Sequence, residues 1–99
     1  MTINIQYVQM ATSDTMSEFI TKKLEKLGER YDWIIKADVF FKKENDPTGK
    51  GKICDIQLSL PGPQIFASSN ETSFELAGKE TLSDLEKQLK KRKEALKAY

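Results

Sequence analysis

The sequence predicts an α+β domain of order βαβββα, in which a four-stranded mixed sheet is covered on one face by two helices. Four segments alternate apolar and polar residues, as half-buried strands do, and two longer segments repeat apolar residues at helical spacing. A helical segment separates the first two strand segments, whereas turn-forming residues separate the later ones. A right-handed crossover followed by hairpins is the simplest arrangement of this order. The 99 residues suffice for one domain, residues 1–99.

The first three elements are marked by changes of periodicity. Thr2 to Val8 alternates and predicts a strand. Ser13 then offers an N-cap to an amphipathic helix over about residues 14–30, and Ile35 to Lys43 alternates again as a second strand. The apolar stripe of this first helix consists of Met16, Phe19, Ile20, Leu24, Leu27 and Tyr31.

The second half of the chain predicts two hairpins and a long helix. Residues 45–51 concentrate turn formers between two strand patterns, and Ile53 to Leu60 alternates as the third strand. After a Pro-Gly-Pro turn, Gln64 to Ser68 predicts a short fourth strand. Thr72 to Glu75 has the spacing of a capping box and predicts the start of the second helix. The stripe of that helix is Phe74, Gly78, Leu82, Leu85, Leu89 and Leu96.

Composition excludes several kinds of function. Histidine is absent and Cys54 is the only cysteine, which rules out a Ser-His triad, an internal disulfide and a Cys/His zinc site. The sequence shows no secretory leader, and its apolar runs fall short of the ~20 residues of a membrane helix. We therefore expect a cytoplasmic, monomeric protein with no metal, no membrane partner and no histidine-based catalysis. We also expect no cofactor and no small-molecule substrate.

Charge is strongly segregated although the whole chain is nearly neutral, with 16 basic and 15 acidic residues. The segment from Leu85 to Tyr99 contains six cations and two anions, whereas the segment from Glu71 to Glu86 contains five acidic residues and one basic residue. Cations near a helix C-terminus also interact favourably with the helix dipole, by about 0.3–1 kcal/mol each. Six cations exceed what capping requires, so the pattern favours a polyanionic partner.

Both helices carry a basic edge beside the apolar stripe. At helical spacing the first helix places its cations on one edge and Asp14, Glu18, Glu25 and Glu29 on the other. Two such edges side by side would form a continuous groove for nucleic acid. Arg92 falls on the apolar stripe itself, which predicts that the core ends before it and that the last turns project past the sheet. The edge residues are Lys22, Lys23, Lys26 and Arg30 in the first helix and Lys79, Lys90, Lys93 and Lys97 in the second, with Lys87 and Lys91 further round.

Other candidate residues have simpler interpretations. Phe40 and Phe66 are predicted on the open face of the sheet, where they are either a base-stacking platform or a cross-strand aromatic pair. Cys54 is predicted to be a buried small hydrophobe. Asp38 and Asp55 could meet on the open face, but paired carboxylates without a pocket or metal are weak candidates for catalysis.

Four segments resemble the ribosome hibernation promoting factor and ribosome-associated inhibitor family, also called the sigma-54 modulation protein family. These segments are residues 13–27, 34–42, 65–68 and 85–93, so the similarity spans essentially the whole chain in order. The resemblance implies a βαβββα fold and a protein that is not an enzyme. It implies binding to the small ribosomal subunit and its rRNA in the channel used by mRNA and tRNA, which blocks translation in starved or stationary-phase cells.

By position, the resemblance assigns rRNA contacts to basic residues of both helices. Arg30, Lys79 and Lys97 join the predicted set because they lie on the same edges. The chain departs from the family at residues 72–78, where Gly78 is expected to loosen the packing. Its length matches the short form, which is expected not to pair ribosomes by itself. The contacts assigned by position are Lys22, Lys23, Lys26, Lys87, Lys90, Lys91, Arg92 and Lys93.

Two other functions remain as alternatives. A free-standing double-stranded RNA-binding module has a similar shape, but its basic motif at the start of the last helix is missing because residues 71–86 are acidic. A small hydrolase of acylphosphatase size would need an arginine beside a glycine-rich anion loop. The only arginines, Arg30 and Arg92, are not near such a loop in the sequence.

Overall fold

The computed structural model describes residues 1–97 and has the predicted order of elements. Four strands and two helices follow one another as βαβββα, which confirms the predicted fold class. The elements are β1 (Thr2–Val8), α1 (Asp14–Arg30), β2 (Lys36–Lys43), β3 (Lys52–Ser59), β4 (Ile65–Glu71) and α2 (Phe74–Lys97).

The sheet has the strand order β1-β2-β3-β4. β1 pairs with β2 in parallel, as the α1 crossover requires, and the two later pairings are antiparallel. Val39 lies opposite Ile5 on one side and opposite Ile56 on the other, so the apolar residues of neighbouring strands share one face. The sheet therefore has one apolar face and one mixed face.

Both helices pack on the apolar face of the sheet. Ile20 and Leu24 of α1 and Leu85 and Leu89 of α2 are fully buried in the same core as Phe41. Two polar contacts, one for each helix, fix the positions of the helices on the sheet. The Tyr7 hydroxyl of β1 donates to the Ser13 carbonyl before α1 at 2.8 Å, and the Thr81 hydroxyl of α2 donates to the Cys54 carbonyl at 2.9 Å.

The helix starts differ in how well the sequence predicted them. Ser13 caps α1 as predicted, because its hydroxyl accepts the Met16 N–H at 3.2 Å. The capping box at Thr72–Glu75 is wrong: α2 begins at Phe74, and the Ser73 hydroxyl accepts the Leu76 N–H at 3.1 Å. β4 runs on to Glu71, beyond the predicted end at Ser68, and this shifts the helix start by one residue.

Gly78 is buried where α2 packs on α1, and the expectation that it loosens this packing stays a prediction. A Cβ at this buried position would lie 3.4 Å from the Ile20 Cδ1 and 3.6 Å from the Phe19 Cε1. Both distances are those of ordinary van der Waals contact, so the approach of α2 to α1 at this position does not require glycine.

Neither of the two helices described between residues 1 and 97 combines the length and hydropathy of a membrane-spanning segment.

Candidate nucleic-acid interface

A continuous groove runs between α1 and α2 on the outer side of the helix layer. It consists of two adjoining clefts of about 490 Å³ and about 260 Å³, which share Arg30, Ser83 and Glu86. Leu27 and Leu82 form part of its floor, so the groove lies directly over the apolar seam between the helices. We call it the α1–α2 groove. Its basic lining residues are Lys23, Lys26, Arg30, Lys79, Lys87, Lys90 and Lys93.

The packing of two amphipathic helices explains why these cations meet. Each helix turns its apolar stripe to the sheet, so the residues flanking the stripes face one another across the seam. Lys23, Lys26 and Arg30 recur at three- and four-residue spacing on α1, and Lys79, Lys90 and Lys93 lie on the facing edge of α2. The structure therefore assembles seven of the eleven predicted binding residues along one groove.

Two predicted binding residues lie elsewhere on the helices. Lys22 and Lys91 are exposed but do not line the groove. Lys91 follows Lys90 by one residue and is therefore turned by about 100° around the helix. The side chain of Lys97 lies outside the part of the chain that the structure describes.

Arg92 does not project past the core as predicted. Its guanidinium donates to the Pro61 carbonyl at 3.3 Å and to the Pro63 carbonyl at 3.0 Å. Both carbonyls belong to the β3–β4 turn, where Gly62 has a positive φ of 91° and leaves room for the guanidinium. The side chain is half-buried, because the turn reaches up to α2 at this position. Arg92 thus joins the last part of α2 to the sheet.

Two acidic residues of the groove were missed by sequence reasoning. Glu86 lies between the two clefts and forms an ion pair with Arg30 across the helices, and Glu94 lines the larger cleft. Helical spacing could have placed Glu86 on the basic edge, since it lies four residues before Lys90 and seven after Lys79. The groove is therefore basic with a carboxylate near its centre.

Tyr31 forms one end of the larger cleft. Its buried ring lies edge-on to Trp33 with centroids 5.9 Å apart, which agrees with a role in closing the core. The Arg30 guanidinium lies 5.6 Å from the ring centroid and the Lys93 ammonium 5.8 Å from it. Cation–π contact of this kind holds the two cations near the mouth of the cleft.

The open face of the sheet has a different character. Phe66 is 55% exposed and Phe40 is half-buried, on strands separated by β3, so they do not form a cross-strand pair. Lys42 forms an ion pair with Asp55 at 2.8 Å, and this contact raises the pKa of the lysine. Asp38 pairs instead with Lys36 at 3.5 Å. The two carboxylates are thus paired with lysines and not with each other.

Cys54 is buried in the core, as predicted. Burial is the main cause that raises the pKa of its thiol to about 12. A thiol that keeps its proton is a poor nucleophile and a poor metal ligand, so Cys54 acts as a small hydrophobe.

Comparison with known proteins identifies the family. The family described as sigma 54 modulation protein / S30EA ribosomal protein matches residues 3–97. The chain belongs to this family, whose description is that of a ribosome-associated protein. Among curated proteins none matches this chain.

Two solved structures have the same fold. One is a ribosomal subunit interface protein from Coxiella burnetii, with a TM-score of 0.81 and 27% identity over 94% of this chain and 98% of that chain. The other is the N-terminal domain of Protein Y from Thermus thermophilus, with a TM-score of 0.78 and 24% identity over 92% of this chain and 98% of that chain. This second likeness is one of fold alone.

Proposed function

We propose that this protein binds the small ribosomal subunit through the α1–α2 groove, occupies the channel of mRNA and tRNA, and so inhibits translation. The observation that carries the proposal is the alignment of seven cations from two helices along one groove. Phosphates of rRNA are the ligands that such a row fits, because backbone charge supplies most of the affinity for nucleic acid. The family membership supports the ribosome as the source of that RNA.

Inhibition in this proposal is by occupancy and involves no catalysis. Cations seated on rRNA phosphates of the channel would hold the protein where message and tRNA backbones have to lie. Binding would then exclude both, by sterics and by competition for the same phosphates. Ribosomes silenced in this way are idle but intact, which is the hibernation role expected in stress and stationary phase. The site of action would be cytoplasmic.

Two adjacent lysines provide a matched test of the groove. Lys90 lines the groove and Lys91 does not, although they carry the same charge on the same helix. In a ribosome pelleting assay, Lys90→Glu should weaken binding by about tenfold or more, whereas Lys91→Glu should have a clearly smaller effect. Both variants should unfold within ~0.5 kcal/mol of the parent, because both residues are exposed. Equal effects of the two substitutions would contradict binding through the groove.

The salt dependence of binding tests whether phosphates are the ligands. If about six phosphates are neutralised, log K should fall with log salt with a slope of about −4 to −5. Lys90→Glu should make this slope shallower by about one. A slope near zero would exclude the electrostatic mode of binding.

Competition tests the location on the subunit. Prebound message with initiator tRNA should protect small subunits from the protein, and labelled protein and labelled initiator tRNA should not reside on one subunit together. Stable co-occupancy would reject channel blocking, even if the groove still bound rRNA.

A further inference from the structure

The outer edge of β1 is open to strand addition. β1 lies at the end of the sheet and pairs only with β2. The Thr2 N–H donates to the Ile35 carbonyl at 3.1 Å, so the peptide groups of Thr2 face β2. Backbone groups alternate in direction along a strand, so every second residue turns its N–H and C=O outward. Within residues 1–97 no hydrogen bond is made to these outward groups. The outward-facing residues are Ile3, Ile5 and Tyr7.

β1 also lacks the features that usually protect an edge strand. Its sequence, Thr-Ile-Asn-Ile-Gln-Tyr-Val, contains neither a charge nor a proline. The opposite edge differs, because the Gln88 amide of α2 donates to the Phe66 carbonyl of β4 at 3.0 Å. The edge at β4 thus has one backbone carbonyl bonded to a side chain of α2, whereas within residues 1–97 β1 has no such contact on its outer edge.

An acidic cleft borders this edge on the helix side. It has a volume of about 390 Å³ and lies between β1 and the last turns of α1, with Ile3 and Ile34 in its apolar part. Glu25, Glu29 and Asp32 line it. All three are exposed, and among the described residues none of them forms an ion pair.

We infer that the β1 edge binds an extended protein segment that carries lysine or arginine at alternate positions. The backbone of such a segment would pair with the three outward-facing residues of β1, the usual basis of affinity in strand addition. Its side chains on the helix side would reach the cleft, where the carboxylates select cations. A second copy of this chain fits poorly, because antiparallel pairing of two β1 strands would bring both acidic edges together. This surface lies on the opposite edge of α1 from the basic groove and is independent of the proposed function.

Amide hydrogen exchange with a defined probe tests the inference on the full chain. The probe is a blocked octapeptide of alternating lysine and valine, and its charge-reversed control replaces each lysine with glutamate. In the free protein the amides of Ile3, Ile5 and Tyr7 should exchange fast, whereas those of Asn4 and Gln6, which bond to β2, should exchange slowly. Saturation with the lysine peptide should abolish the fast exchange of the first three, and the glutamate peptide should leave it unchanged.

A matched pair of substitutions tests the role of the cleft. Glu29→Lys should weaken binding of the lysine peptide by up to about fivefold, while Glu18→Lys, on the same acidic edge but outside the cleft, should leave it nearly unchanged. Absence of binding, binding without protection of the outward amides, or equal binding of both peptides would overturn the inference. Protection that appears without peptide and grows with protein concentration would identify a second copy as the occupant and would also overturn it. Ribosome binding through the groove would stand in each case.

Discussion

Arg30 and Glu86 form an ion pair that joins α1 to α2 across the middle of the basic groove. Both side chains are substantially exposed, 62% for Arg30 and 39% for Glu86, so the pair contributes little to stability. In the proposed phosphate-binding groove its effect should be larger, because the Glu86 carboxylate pairs with the guanidinium that we expect to contact a phosphate. We therefore expect Glu86 to limit the affinity of the groove for a polyanion.

Replacing Glu86 should strengthen binding. In Glu86→Gln, Arg30 becomes free to contact phosphate and a repulsive charge is removed, so ribosome affinity should rise and the salt slope should steepen by about one. Pelleting at several salt concentrations measures both. Glu18→Gln removes an acid outside the groove and should change neither. An unchanged slope in Glu86→Gln would show that Arg30 does not contact phosphate.

Replacing Gly78 by alanine and by valine should change the stability of the fold in opposite directions. Alanine places one methyl at ordinary contact with Ile20 and removes the helix penalty of glycine, so Gly78→Ala should stabilise the fold by about 0.5–1 kcal/mol. Valine adds two further methyl groups between α1 and α2 and should destabilise it by about 1–3 kcal/mol. Urea unfolding measures both. A destabilised alanine variant would mean that the helices are packed too tightly for any side chain.

Cys54 should make stability fall at high pH. The unfolded thiol loses its proton near pH 9 and the folded thiol only near pH 12, so between these limits the unfolded chain binds fewer protons. The free energy of unfolding therefore decreases as pH rises, by up to about 1.4 kcal/mol per pH unit, with no contribution below the unfolded pKa. Urea unfolding of the parent and Cys54→Ala at about pH 8 and about pH 10.5 isolates this effect, because lysines titrate in both. Parallel pH profiles would show that the thiol titrates normally.

The sequence predicted the elements well because each has a single dominant period. It could not choose between Thr72 and Ser73 as the cap of α2, since either hydroxyl can accept the N–H three residues on. The choice depends on how far β4 extends. There the Asn70 side chain accepts the Gly51 N–H at 2.7 Å and ties the end of β4 to the β2–β3 loop. Such a contact joins residues far apart in the chain and leaves no local pattern.

The predicted binding residues also depend partly on local pattern and partly on packing. Helical spacing placed the basic edges beside the apolar stripes, and the packing of α1 on α2 then selected which cations face each other. Helical spacing already placed Lys90 on the edge and Lys91 further round the helix, and the groove includes only the first of them. Lys87 was also placed further round, yet it lines the groove, and only the packed helices show this. The hydrogen bonds of Arg92 could not be predicted from the pattern of α2 alone, because its partners belong to the turn between β3 and β4.

Arg92 should contribute mainly to the stability of the fold and little to ribosome binding. Its two hydrogen bonds fix the Pro61–Pro63 turn against α2, so Arg92→Gln should lower the free energy of unfolding by about 1 kcal/mol. Because the guanidinium faces the turn, the salt slope of ribosome binding should stay unchanged, and affinity should fall much less than in Lys90→Glu. Urea unfolding and pelleting on the same samples separate the two roles. Arg92→Lys is the matched control, since it keeps the charge but cannot span both carbonyls: it should be destabilised like the glutamine variant. If Arg92→Gln instead kept full stability and made the salt slope shallower by about one, Arg92 would be a phosphate contact.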